Sequence, residues 1–447
     1  MFKPKFNIDD LIKVTGGELV NGSDIPALSI STDTRTITQE DAYLAICGAV
    51  FDGHNFVKNA FDSGAKLAII DKKHKDIVSQ VDGCFLIVED TLNAYLQIAK
   101  FHKDNQKVKI LAVTGSSGKT TTKEILYAVF NSKFKTNKSI KNHNNEIGLC
   151  QTLLAIEPDT KYCIVEMGMR GLGEIDLLAK YATPDCAIIT NAGSAHIGIL
   201  GSLENIAKAK CEISNYLKDD ALLVAHNNEM IKNNLASRNY EKIFYDLNDV
   251  KILEQSENKG RFIYKNEEYV LPDGADFNIL NSLAVINIAL KEGFSSEEIN
   301  RGFQEFKNIE YRNEVTKLSC GATVISDCYN ANPDSTKVSL KHIAQTYKDK
   351  KIVVVFGDMF ELGEFEENYH KEIGELINSL NVNYFVSVGN LAKITAREVN
   401  NIPKKICKDV NEAAEFLSEF MEEDTLVFLK ASRGMHFEKI LEMIKGK

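Results

Sequence analysis

Apolar runs alternate with stretches of helical apolar spacing along most of this chain. The run "KVKILAVT" (107–114) is rich in β-branched residues, as buried parallel strands are, and "TTKEILYAVF" (121–130) after it has its apolar positions at helical spacing. The same alternation continues through "YCIVEMG" (162–168), the helical "EIDLLAKYA" (174–182), "DCAIITNAG" (185–193), the helical "LENIAKAKCEISNYL" (203–217) and "ALLVAHNN" (221–228). That order predicts a doubly wound α/β unit over 106–310, with a strand-rich insertion at "KIFYD" and "KGRFIYKNEEYVL" and a helix over "NILNSLAVINIALKEG". After "YRNEV" the alternation restarts with "TVISDCY", "KIVVVFGD", "YFVSVG" and "TLVFLKAS", which predicts a smaller α/β unit over 311–447. Residues 1–105 mix short strands ("LAII", "CFLIVE") with helices and close on "TLNAYLQIAKFHKDNQK", whose polar tail reads as a boundary. No solenoid-period repeat or low-complexity segment interrupts this.

A length of 447 residues suits three such domains. The formal net charge of −10, with no Lys/Arg stripe, argues against nucleic acid as a partner. Nine cysteines without a C-x-x-C pair read as buried free thiols in a reducing compartment and argue against zinc. "MFKPKFNIDDLIKV" lacks the apolar centre of a signal peptide, and no apolar run approaches the ~20 residues of a membrane helix. The expectation is a cytoplasmic protein.

The stretch "VTGSSGKTTTKE" (113–124) carries the strongest chemical signal. Gly115 and Gly118 let the backbone N–H groups around Ser116 and Ser117 close on an oxyanion, Lys119 can lie along terminal phosphates, and the Thr120 hydroxyl, followed by Thr121, suits Mg²⁺. ATP or GTP is the implied ligand. Val113 stands where the longer consensus has its first glycine, so a plain Gly/Ser turn is the competing reading. The fold class is then α/β with a small N-terminal domain, a central P-loop domain and a C-terminal Rossmann-like domain.

In such sheets ligands gather at the carboxyl ends of the strands. Glu166 ends one strand and is either a metal carboxylate or a helix cap. Asn191 ends the next, and His196 in the loop beyond is either incidental or a ligand. Lys210 reads from composition as a surface lysine paired with an acid such as Glu212. Asp327 ends a strand of the third domain, where a carboxylate can take ribose hydroxyls, and Asn330 and Asn332 follow it. Gly357 and Asp358 end another, where a tight turn competes. Arg312 lies at a domain junction, where a guanidinium can reach a transferring phosphate.

Taken together, "DTR" (33–35), "DGHNF" (52–56), "TGSSGKTTTKE", "NHNNEIG" (142–148), "EMGMRGLGEI" (166–175), "NAGSAHIGILGS" with "IAKAKCE", "YRNE", "DCYNANPDS" and "GDMFELGE" resemble the ATP-dependent Mur ligases of peptidoglycan synthesis along nearly the whole chain. "NANP" and "GDMFELG" resemble the branch that joins D-alanyl-D-alanine to UDP-N-acetylmuramoyl-tripeptide. The resemblance implies ATP and two Mg²⁺ ions as cofactors, and those two substrates as the only partners of a monomer. It implies that Lys119 and Thr120 hold phosphates and magnesium, that Glu166 and His196 ligate metal, and that Lys210 is carbamylated and supplies a further oxygen. Asn278 and Asn281 would face adenine; Arg312 and Asp327 would meet phosphate and ribose. Asp33, Arg35, Asp52, Gly53 and His54 would hold the UDP-sugar, with Asn142, Asn144, Asn145, Asn330 and Asn332 also on the substrate side. Phe277 departs from the family's usual histidine before the adenine asparagine.

The implied reaction sends the phosphate to a carboxylate, because a free acid has no good leaving group, and an amine then attacks the acyl phosphate. No Ser-His-Asp or Cys-His set is required. Rivals are a sister ligase adding another residue, a folate ligase, which would lack the UDP-sugar domain, a noncatalytic UDP-sugar binder, and a nucleotide-hydrolysing switch. A GTP switch would carry Asn-Lys-x-Asp, and "TNKS" (136–139) lacks the acid.

Overall fold

The computed structural model describes residues 2–445 apart from 23, 49, 308 and 309. Its strands form four sheets. The first runs, edge to edge, Glu18–Val20, Phe85–Val88, Leu67–Asp71, Asp41–Leu44, Ser29–Ser31, parallel except at the Glu18–Val20 edge. Its three inner strands are buried on both faces, which is why they read as unbroken apolar runs.

The central sheet is wholly parallel, in the order Glu241–Tyr245, Leu222–His226, Cys186–Ile189, Lys109–Thr114, Tyr162–Glu166, Thr136–Lys138. From Lys109–Thr114 the chain goes first to the Thr136–Lys138 edge, returns to Tyr162–Glu166 beside its start, and then crosses to the other side. The carboxyl end of that strand is therefore a topological switch point, the place where such sheets open a ligand crevice. Helix Lys119–Asn131 packs on it through Ile125, Leu126, Val129 and Phe130, all buried. The insertion is a three-stranded antiparallel meander over Lys251–Ser256, Lys259–Tyr264 and Glu267–Leu271. Its inward Phe262 and Tyr264 alternate with more exposed residues, as a half-covered strand requires.

The third large sheet has the order Glu314–Lys317, Thr323–Asp327, Thr425–Lys430, Lys351–Gly357, Tyr384–Val388, Lys404–Cys407, with only the Glu314–Lys317 edge antiparallel. Helix Thr91–Asp104, capped by Asp90, packs against both the first sheet's unit and the central one. On the central side His102 Nε2 lies 2.8 Å from the Ile156 carbonyl and Lys103 Nζ donates to Ala182 O at 3.2 Å.

All nine cysteines are free, but Cys47 and Cys320 are exposed and Cys84 is only half-buried, so the expectation of burial fails for those three. Among the described residues no helix is long and apolar enough to cross a membrane.

Candidate active site

The crevice at the switch point starts with the phosphate loop. Gly115 (φ +149) and Gly118 (φ +80) occupy conformations that disfavour a side chain, and both lack room for one. A Cβ on Gly115 would stand 1.9 Å from Thr190 Oγ1, and one on Gly118 would stand 2.6 Å from Asn281 Oδ1. Asn191 Oδ1 accepts from the N–H groups of Ser116 and Ser117 at 3.1 and 3.0 Å, which fixes the loop from the neighbouring strand end. Lys119 Nζ donates to Gly115 O at 2.7 Å. Burial lowers the Lys119 amine, Glu166 pulls it back up and Arg312 pushes it down again.

Glu166 is buried at the end of the adjacent strand. Its Oε1 accepts from Asn144 Nδ2 at 3.2 Å, while Oε2 has no hydrogen bond and lies 3.5 Å from Lys123 Nζ. Helix capping, the competing reading of this residue, is not what it does here. Lys123, one turn along the helix from Lys119, is fully buried and was not singled out by the sequence; its spacing of four from Lys119 was the available signal.

His196 has a left-handed backbone (φ 65) and its Nδ1 is 2.6 Å from Glu361 Oε2, a residue of the third unit. A carboxylate at that distance accepts from Nδ1 and fixes the ring, which leaves Nε2 as the nitrogen a metal would use. Lys210 corrects the compositional reading of a surface lysine. It is fully buried, its Nζ has no hydrogen-bond partner, and Glu212 instead accepts from the N–H groups of Gly173 and Asp176 at 2.7 and 3.1 Å. Burial, with Lys119 nearby, pushes the Lys210 amine well below its usual range. Lys208 on the same helix is exposed. An uncharged amine is what reacts with CO₂, and unpaired buried atoms on Glu166 and Lys210 are what a bound cation with its oxygen ligands would satisfy. The donor set fits Mg²⁺.

The third unit reaches in through Arg312. Its neighbours Tyr311 and Asn313 are both left-handed (φ 59 and 51), a concentration of strain at a junction. The guanidinium lies 4.3 Å over the Tyr329 ring and donates from Nη2 to Thr120 Oγ1 at 3.2 Å. Asn278 and Asn281 are buried on helix Asp276–Lys291. Asn278 Nδ2 donates to Asp273 at 2.8 Å while its Oδ1 is unpaired, and Phe277 meets His342 edge-on at 5.5 Å.

Other expected residues have structural partners of their own. Asp327 Oδ2 accepts from Lys430 Nζ at 2.6 Å and from Ser339 at 2.9 Å. Asn332 caps helix Pro333–Thr346 through Ser335 N, with Pro333 at the first position, so "NANP" is a helix start. Asn330 Oδ1 accepts from its neighbour Ala331 N at 3.0 Å. Asn145 caps helix Glu146–Leu154, Asn144 holds Glu166, and Asn142 is exposed. Asp358 Oδ1 accepts from Ala392 N at 2.8 Å, which makes the Gly357–Asp358 pair a turn anchor.

On the first unit, Asp33 and Arg35 form a bidentate pair that holds the Asp33 carboxyl at about 2. Asp33, Tyr95, Asn137, Lys138 and His143 line a cleft of ≈ 340 Å³ between the first and central units. Asp52 caps the turn Gly53–Phe56, and a Cβ on Gly53 would stand 2.7 Å from Ile46 N. His54 is buried, stacked 3.8 Å from the His74 ring, and Asp52 and Asp71 lie at the two edges of the stack.

Three family models match the chain: the "Mur ligase family, catalytic domain" over residues 28–117, the "Mur ligase middle domain" over 113–289, and the "Mur ligase, glutamate ligase domain" over 311–433. The UDP-N-acetylmuramoyl-tripeptide--D-alanyl-D-alanine ligase of Bacillus subtilis (strain 168) is 34% identical over 422 residues, 92% of each chain. A crystal structure of MurF from Acinetobacter baumannii superposes over 100% of both chains with a TM-score of 0.89 at 27% identity. The MurF ligase of Thermotoga maritima in complex with ADP covers 94% of this chain and 97% of its own, with a TM-score of 0.83 at 26% identity.

Proposed function

Because the chain belongs to the Mur ligase family, we propose that it joins D-alanyl-D-alanine to UDP-N-acetylmuramoyl-tripeptide at the expense of ATP. The observation that carries this reading is the meeting, at one switch point, of the phosphate loop, the half-paired Glu166, His196 held by Glu361, the buried and unpartnered Lys210 amine and Arg312 from the third unit.

In this reading the tripeptide carboxylate takes the γ-phosphoryl group, and the dipeptide amine displaces phosphate from the resulting acyl phosphate. Gly115, Gly118, Lys119 and Thr121 cradle the phosphates by backbone N–H groups, Ser116 and Ser117 line the same loop with their own N–H groups held by Asn191, and Lys119 exchanges Gly115 O for a phosphate oxygen. Arg312 faces the charge that gathers on the transferring group and reports that the third unit has closed. Asn278 and Asn281 border the base, with Asn281 against Gly118, and Asp327 is left only Oδ1 for a ribose hydroxyl. Thr120, Glu166, His196 and a carbamate on Lys210 would hold Mg²⁺, which supplies charge neutralisation at the phosphoryl oxygens. Asp33, Arg35, Asp52, Gly53 and His54 serve the UDP-sugar end, and the cleft beside Asp33 leads the peptide toward the phosphate loop. Domains of 1–105, 106–310 and 311–447 divide the work into sugar, nucleotide and dipeptide. The same reading has the protein work as a monomer in the cytoplasm, and nine free thiols support a reducing compartment.

Phosphate release and product mass, measured with each of ATP, Mg²⁺, the UDP-muramoyl tripeptide and D-Ala-D-Ala omitted in turn, test it. All four should be required. Robust ATP hydrolysis without both acceptors would replace the ligase by a switch, and turnover with another amine would make it a sister ligase.

A further inference from the structure

The loop between strand Cys186–Ile189 and helix Leu203–Cys211 holds the phosphate loop with one side and the third unit with the other. On the nucleotide side, besides the Asn191 bonds to Ser116 and Ser117, Ser116 Oγ donates to Gly193 O at 2.9 Å and Thr190 Oγ1 donates to Ser117 O at 2.5 Å. On the other side two acids of the third unit seize it. Asp334 Oδ2 accepts from Ser194 N and Oγ at 2.6 and 2.7 Å, and Glu361 accepts from His196 Nδ1 through Oε2 and from Gly198 N through its carbonyl at 3.1 Å. Only glycines permit this approach: a Cβ on Gly198 would stand 2.4 Å from Gly363 N, and one on Gly363 would stand 2.9 Å from Gly198 Cα. Both His196 and Glu361 hold left-handed backbones (φ 65 and 63), a conformation that is strained for a non-glycine residue and persists only where the surroundings enforce it.

We propose that this loop couples domain closure to cation binding, with Glu361 as a positioning residue that fixes His196 only when the third unit has docked. The inference rests on the reading above that His196 faces a divalent cation. Before docking, the imidazole is free to rotate and to carry its proton on either nitrogen. After docking, the Glu361 carboxylate selects the Nδ1–H form and aims Nε2 at the cation. Whatever docking adds to cation affinity, the cation must add to docking, because the two equilibria share one cycle. Arg170, whose Nη2 lies 3.4 Å from Glu361 Oε1, steadies the carboxylate from the central unit. The side chain of Glu361 is 35% exposed, so replacing it disturbs little core.

Two variants separate this from a merely structural contact. Glu361→Gln removes the anion and keeps the shape. Gly198→Ala leaves Glu361 and His196 chemically intact and wedges the interface open. In the full-length enzyme, both should raise the Mg²⁺ concentration for half-maximal ligation roughly tenfold or more, with the KM for the UDP-tripeptide within about twofold of wild type. Glu361→Asp, which keeps the charge on a shorter arm, should fall between. X-ray scattering gives the second readout. Wild type should contract when Mg²⁺, a nonhydrolysable ATP analogue and the UDP-tripeptide are added together, whereas Gly198→Ala should stay at its starting dimension. Unchanged Mg²⁺ half-saturation in either variant, lost turnover without that shift, or normal contraction of Gly198→Ala would overturn the proposal. If wild type couples a different amine, the substrate reading fails, while the comparison of variants proceeds with that amine.

Discussion

Lys210→Met keeps the length of the side chain and deletes its amine, which separates what Lys210 does for stability from what it does for chemistry. The amine is fully buried without a hydrogen-bond partner, a condition that costs about 1–3 kcal/mol for a neutral polar group. Burial first, and Lys119 second, hold it neutral in the folded chain at pH values where the unfolded chain protonates it. The unfolded state therefore binds one more proton, and stability rises with pH by about 1.4 kcal/mol per unit, from the depressed folded value up to about 10.4. Methionine carries no such deficit. In CO₂-depleted buffer at pH 7 the variant should unfold about 2–4 °C higher per kcal/mol recovered, for a unit of about 150–250 residues. The gap should close as pH approaches about 10.4. Added bicarbonate should narrow it too, because carbamate formation with Mg²⁺ stabilises only the folded wild type. Ligation by the variant should be nearly abolished, while Lys208→Ala leaves it intact. Thermal unfolding across pH, paired with phosphate release, is the assay. A variant that melts below wild type, a gap that ignores pH, or retained turnover would refute the reasoning.

Arg35→Ala should raise the KM for the UDP-peptide with little change for ATP, and NMR titration should find the Asp33 carboxyl moved from about 2 toward its ordinary value near 3.9; an equal loss for both substrates would deny the first unit its separate role. Asn332→Ala removes the cap on Pro333–Thr346 and should cost about 1 kcal/mol in the unfolding of the third unit. Lys430→Met leaves the nearly buried Asp327 carboxylate without its cation and should cost about 3–5 kcal/mol, most of which Asp327→Asn in the same chain restores, as urea unfolding can check.

The local features of this fold were legible because they are written in contiguous residues. Apolar runs buried on both faces marked the inner strands, and Gly115 and Gly118 marked a loop whose backbone angles and crowding demand glycine. What the sequence hid were pairings made across the chain. Lys210 reads as a surface residue because its helix carries charges on both sides of it, and only the packing of helices shows that it is enclosed. Glu361 and Asp334 lie 165 and 140 residues from the side chains they hold, beyond any spacing rule. Asparagine misled in another way, since Asn145 and Asn332 sit beside the crevice yet use their side chains as helix caps. The family resemblance located these positions without distinguishing a residue that touches a ligand from one that builds the wall.

Helix Thr91–Asp104 bears on how the molecule can be dissected. Its Leu96, Ile98 and Ala99 belong to a core that also contains Leu149 and Leu153 of the nucleotide-binding unit, and Asn93 and Lys103 bond to Tyr181 and Ala182. A cut at 105, where the polar tail invites one, would strip that unit of a covering and leave an apolar face open to water. A nucleotide-binding fragment that starts near residue 90, with the Asp90 cap included, should stay soluble where one starting at 106 aggregates.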